Sequence, residues 1–114
     1  MHELGLVTTV VRTIEELAVE ENLTEVASVT LEIGEVSGVI PEYLTDCWKY
    51  FKVRSKLLAD AQLRINKIEA RTYCEDCQKT YSTLKYKKRC PYCKGAHTYL
   101  ERGSEFNIKE IEAC

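Results

Sequence analysis

Cys74, Cys77, Cys90 and Cys93 stand in a Cys-x2-Cys-x12-Cys-x2-Cys pattern. A Cys-x2-Cys pair closes a tight turn that puts two thiolates on one side of a metal. Two such turns joined by a hairpin complete a four-sulfur shell. That is the donor set of structural zinc, with Zn–S near about 2.3 Å. Disulfides, a redox-active pair and a rubredoxin-type iron site are the competing readings of the same residues, and the ligand count favours zinc. Pro91 stiffens the second turn, and Gly95 is expected to supply the left-handed residue after it. Lys79 holds the equivalent place in the first turn.

The totals fix the frame around this module. A chain of 114 residues makes one compact domain, or one domain with a small insertion. Charged residues make up 30% and the net charge is −2, which argues against a general nucleic-acid binder. No apolar run of membrane-spanning length occurs. Glu3, Arg12, Glu15 and Glu16 break up the N-terminal stretch, so it does not read as a signal peptide and the chain reads as cytosolic. Thiols stay reduced in that compartment, so the six cysteines are expected to be metal ligands and spare thiols rather than disulfides.

Helical spacing of Leu6, Val7, Val10, Val11, Ile14, Leu17 and Ala18 predicts a first helix, with Asn22 as a left-handed cap. Val29, Leu31 and Ile33 alternate with Thr30 and Glu32 as in a half-buried strand, and Gly34 and Gly38 mark its end or a bulge. Pro41-Glu42 suits a helix start, and Leu44, Cys47, Trp48 and Phe51 give that helix one apolar face. Leu63 and Ile65 predict a second strand. Phe106, Ile108 and Ile111 predict a third, returning to the same sheet. Strand, crossover helix, strand implies a right-handed parallel pair. The predicted fold is α+β (mixed α/β): a small three-stranded sheet with two helices, carrying an inserted zinc-ribbon module. The expected domains are residues 1–72 plus 99–114 and residues 73–98.

Lys79, Lys85, Lys87, Lys88, Arg89 and Lys94 face only Glu75 and Asp76 within the module. Two readings compete. One is a nucleic-acid or protein-binding surface with Tyr73, Tyr81, Tyr86 and Tyr92 for stacking. The other is counter-charge for a Zn(Cys)4 centre of formal charge about −2. The acidic remainder of the chain favours the second. At the other end, the Met1 amine, the following amide nitrogen and the His2 imidazole can close fused chelate rings on Ni2+ or Cu2+. Glu3 adds a carboxylate or its own amide nitrogen. A histidine at position 2 is also compatible with an ordinary exposed chain end. His2 and His97 are the only histidines, and no acid–base or nucleophile constellation stands out, so the chain is not expected to be an enzyme.

Taken in order, these pieces resemble the HypA/HybF hydrogenase maturation proteins, which help deliver nickel to NiFe-hydrogenases. The resemblance runs from Met1-His2-Glu3 through Ile33-Gly34-Glu35-Val36-Ser37-Gly38-Val39 and Pro41-Glu42. It continues to Cys74-Glu75-Asp76-Cys77, Cys90-Pro91-Tyr92-Cys93 and Gly103-Ser104-Glu105-Phe106-Asn107-Ile108. It implies a nickel site at Met1, His2 and Glu3 and a zinc site at Cys74, Cys77, Cys90 and Cys93. The implied partners are a nickel-binding maturation GTPase, the hydrogenase large subunit and, for some members, the urease pathway. Neither nucleic acid nor membrane is among them. Histidines beside the zinc cysteines occur in some members. Here only His97 is available, and it reads as a surface residue rather than a ligand.

Overall fold

The computed structural model describes residues 3–114. Helix α1 spans Glu3–Glu21 and buries Val7, Val10, Val11, Ile14 and Ala18, the stripe its spacing predicts. Thr8, Thr9 and Thr13 are accommodated because their hydroxyls donate to the carbonyls of Leu4, Gly5 and Thr9, one turn back. The helix stops at Asn22, whose φ of 55° is left-handed, and the Leu23 N–H reaches back to the Ala18 carbonyl at 2.9 Å.

Strand β1 (Val26–Gly34) follows. Val29, Leu31 and Ile33 are buried as expected, but so are Ser28 and Thr30 on the alternate positions. The strand is central rather than half-exposed, and the Ser28 hydroxyl is satisfied by Glu112 at 2.7 Å. Helix α2 (Pro41–Lys52) begins with proline in its first turn, and it packs against α1. Leu44 and Trp48 go fully inside, whereas Cys47 and Phe51 are only half-buried. The apolar face of α2 is therefore narrower than the sequence implies. Trp48 satisfies its indole N–H on the Ala61 carbonyl at 3.4 Å.

Strands β2 (Gln62–Ile68) and β6 (Phe106–Ala113) flank β1 in the order β2-β1-β6. Backbone bonds from Val26 to Leu57 and from Glu35 to Ile68 run in the same sense, so β1 and β2 are parallel. Bonds from Thr24 to Cys114 and from Gly34 to Glu105 run in opposite senses, so β6 is antiparallel to β1. The fold is α+β, as the sequence predicts, with a feature the sequence reading lacks: a second three-stranded sheet. Its strands are β3 (Arg71–Cys74), β4 (Thr80–Ser82) and β5 (Thr98–Arg102), ordered β4-β3-β5 with both neighbours antiparallel to β3. A single turn of helix, α3 (Thr83–Tyr86), follows β4.

Two compact units result. One holds α1, α2 and most of the first sheet. The other comprises Ile33–Gly38 and Lys67–Phe106. Within the second unit three backbone segments meet without room for side chains. The Gly34 N–H donates to the Glu105 carbonyl at 2.7 Å and the Val36 N–H to the Gly103 carbonyl at 2.8 Å. A Cβ at Gly34 would land on the Gly103 carbonyl, and one at Gly103 (φ 121°) on the backbone of Ala70. The Ala70 N–H in turn donates to the Glu35 carboxylate at 3.3 Å.

Candidate metal centre

The four cysteines converge. Cys74 ends β3 and opens the first turn, and Cys90 opens the second. Both turns have the same geometry. The Gln78 N–H bonds to the Cys74 carbonyl, and the Lys94 N–H to the Cys90 carbonyl, each at 2.9 Å. The Cys74 N–H closes on the Lys79 carbonyl at 2.9 Å, and the Cys90 N–H on the Gly95 carbonyl at 3.0 Å. The left-handed residues are Gln78 (φ 58°) and Lys94 (φ 60°), directly after the second cysteine of each pair. The sequence expectation that Gly95 would fill that role is therefore corrected by one residue. Gly95 matters for space instead. A Cβ there would come within 2.8 Å of an Asp76 carboxylate oxygen and 3.3 Å of the Cys93 sulfur.

All four sulfurs lie within 4.8 Å of one another. Cys74 with Cys93 and Cys77 with Cys90 are each 3.5 Å apart. A tetrahedron with metal–sulfur bonds of about 2.3 Å has sulfur–sulfur edges of about 3.8 Å, so the cluster fits one four-coordinate ion. Cys74 and Cys90 are fully buried, Cys77 is half-buried and Cys93 is exposed. Tyr81 packs with the cysteines as the unit's small core, and its hydroxyl donates to the Lys87 carbonyl at 2.8 Å.

Backbone N–H groups point at the sulfurs, which is what a thiolate centre needs. Burial pushes the Cys90 thiol up, but the N–H groups of Cys93 and Tyr92 outweigh it and bring the group down to about 7. Burial, with the Cys90 and Cys74 thiols, drives Cys77 up to about 12. At Cys93 the Gly95 N–H lowers the value, but the Cys74 thiol and burial together leave it raised. A bound cation must displace the thiol protons of the quartet.

His97 stays outside the sulfur cluster. Its Nδ1 lies 3.1 Å from an Asp76 carboxylate oxygen, and the side chain is largely exposed. Two of the cations brace the turns: Lys79 sits 4.8 Å over the Tyr92 ring, and Arg89 donates to the Lys94 carbonyl at 3.2 Å. Of the N-terminal donors, Met1 and His2 lie outside the described residues. Glu3 begins α1, and its carboxylate accepts the Ile40 N–H at 3.2 Å. No helix among the described residues is long and apolar enough to cross a membrane.

A parallel-paired α/β unit and a four-thiol, zinc-ribbon-like unit define a small protein with a built-in metal-binding module. Comparison with known proteins agrees along the whole chain. The family described as hydrogenase/urease nickel incorporation, metallochaperone, HypA matches residues 1–113. The hydrogenase maturation factor HypA of Rhodopseudomonas palustris strain TIE-1 is 34% identical over 112 residues, covering 98% of each chain. That of Rhizobium leguminosarum bv. viciae is 35% identical over 113 residues, with the same coverage. The chain belongs to the HypA family of nickel-incorporation metallochaperones. Its fold is also that of solved HypA structures. The Helicobacter pylori nickel metallochaperone superposes with a TM-score of 0.71 at 24% identity, over 99% of this chain and 97% of the other. A second HypA solution structure gives 0.76 at 24% identity, over 100% and 97%.

Proposed function

We propose that this chain binds Ni2+ at Met1, His2 and Glu3 and helps deliver it to the NiFe-hydrogenase large subunit in the cytoplasm. A nickel-binding maturation GTPase is the proposed co-worker, and urease maturation is a second destination. Residues 1–72 with 99–114 serve nickel, and residues 73–98 serve zinc. The chain acts as a carrier, not an enzyme. The observation carrying this reading is the family match that starts at residue 1 and so includes the Met-His-Glu opening. The chemistry agrees with it. An amine, an amide nitrogen and an imidazole from one short segment make a strong-field set suited to Ni2+.

The position of Glu3 adds a physical argument for release. Glu3 is the first residue of helix α1. The same terminus carries the positive end of the helix dipole, which disfavours a cation by about 0.3–1 kcal/mol. Cargo held there is bound by few donors against an opposing field, and it comes off when a better donor set arrives.

Zinc is the proposed occupant of the Cys74, Cys77, Cys90 and Cys93 site. Bound there, a closed-shell ion without redox chemistry supplies cross-linking and no open position. The surrounding residues do the rest. Gln78 and Lys94 allow the turns, Gly95 leaves space beside Cys93, and Tyr81 fills the interior. A nickel titration of untagged protein against a His2→Ala variant tests the cargo site. Loss of the nickel isotherm with zinc content unchanged supports it, and equal binding by both proteins overturns it.

A further inference from the structure

Within the second unit a cleft of about 410 Å3 is lined by Val36, Thr72, Thr83, Ala96, Tyr99 and Leu100, with Lys87 and Lys88 also on its wall. That volume lies in the range of specific binding sites. Leu100 is 40% exposed, unusual for a large apolar side chain beside a cavity. The cleft has no acidic residue on its wall. Neither Lys87 nor Lys88 makes an ion pair with the described carboxylates. The wall also follows β5, which ends its sheet and, among the described residues, has no strand on its outer side.

The backbone at Lys87 is the second observation. Its φ of 57° with ψ of −124° is a conformation that glycine adopts without penalty and an L side chain holds under strain. Neighbours enforce it. The Lys87 N–H bonds to the Thr83 carbonyl at 2.7 Å, and the buried Tyr81 hydroxyl donates to the Lys87 carbonyl at 2.8 Å. Thr98 donates to the Lys88 carbonyl at 2.8 Å. A lysine thus stands where the backbone suits glycine.

We infer that this cleft docks a short acidic, apolar segment of a partner protein. Aliphatic or aromatic side chains of that segment enter between Val36, Thr72 and Leu100, and its carboxylates meet Lys87 and Lys88. An extended segment along β5 satisfies both, because alternate residues of a strand point to opposite sides. The docking site belongs to the second unit and stands whether or not nickel binds at residues 1–3.

The test uses the full, metal-loaded chain and fluorescence anisotropy. The probes are a labelled acetylated peptide of alternating leucine and glutamate, its leucine–glutamine counterpart, and single-stranded oligothymidylate. The acidic peptide is expected to bind, and Lys87→Gly with Lys88→Gln to weaken it by roughly tenfold or more. Lys85→Gln, outside the cleft, leaves binding unchanged. Lys87→Gly alone weakens binding without lowering the melting temperature, which separates lost recognition from damaged folding. Equal binding of the glutamine peptide, insensitivity to the lysine variants, or preference for the oligothymidylate overturns the inference. So does competition by free phosphate as strong as by the peptide, because the apolar wall would then contribute nothing.

Discussion

The Glu3 carboxylate accepts the backbone N–H of Ile40, the cap residue of α2, at 3.2 Å. The first residue of α1 is thus tied to the start of α2 across 37 positions of sequence. To take a metal, that carboxylate must share an oxygen with the Ile40 N–H or release it. Glu3→Ala is expected to lower stability by about 0.5–1.5 kcal/mol, as for one modest hydrogen bond. It should reduce nickel affinity far less than His2→Ala does. Paired thermal melts and nickel titrations check this, and a loss of nickel equal to that of His2→Ala would make the carboxylate a primary ligand.

Gly34 and Gly5 are expected to respond to alanine with opposite signs. At Gly34 the new methyl group falls on the Gly103 carbonyl, so the junction must open and the cost should exceed about 2 kcal/mol. Gly5 is exposed on α1 with nothing within 4 Å of its Cβ position. Alanine there should stabilise by about 0.5–1 kcal/mol. Urea denaturation of the two variants decides it, and equal signs would contradict the packing described.

Glu112 links three strands. Its carboxylate receives the Ser28 hydroxyl at 2.7 Å and the Arg64 guanidinium at 2.9 Å, and these hold its carboxyl below the usual range, Ser28 contributing most. A carboxyl with a lower value folded than unfolded binds fewer protons when folded. Its contribution is complete above the unfolded value of about 4.3 and is lost as pH falls through the folded value. Glu112→Gln should therefore flatten the acid limb of the stability curve below about pH 4.3. Melting temperatures across that window provide the check. A variant that keeps the parent's full acid slope would remove Glu112 as its source.

Removing the metal from the four-cysteine site is expected to melt the second unit, because structural zinc contributes on the order of 10 kcal/mol in modules of this kind. Cys74→Ser and Cys90→Ser should behave alike, since both sulfurs are fully buried. The core around Ile14, Leu31 and Trp48 lies in other elements and should survive. Hydrogen exchange followed residue by residue after chelation separates the two units. Elemental analysis showing iron, or no metal, would overturn the zinc assignment.

Periodicity carried most of the fold. The stripe from Val7 to Ala18 and the alternation through Ile33 are strong local signals, and the order strand–helix–strand fixed the parallel pair. Local signals failed where the answer depended on long-range neighbours. Nothing near Ser28 or Thr30 in sequence announces that β1 is central, and a short polar-rich strand such as β4 has no apolar run to betray it. The cysteine spacing located the cluster because two tight turns impose their own geometry. The left-handed residue was misplaced by one because glycine draws the eye to Gly95, while the backbone requires the bend at Gln78 and Lys94. Lys87 carried no signal at all, since an unfavourable backbone at a lysine is visible only once the turn is built.

In the proposed function, the chain start itself holds nickel. An N-terminal extension of a few residues turns the Met1 amine into an amide and removes one donor and its chelate ring, while His2 and Glu3 keep their side chains. The measurement is a calorimetric nickel titration of the native and extended proteins at one pH, above the unperturbed amine value of about 8. The extension is expected to weaken nickel binding as much as losing His2. Equal affinities would contradict it and would move the site to side chains elsewhere in the chain.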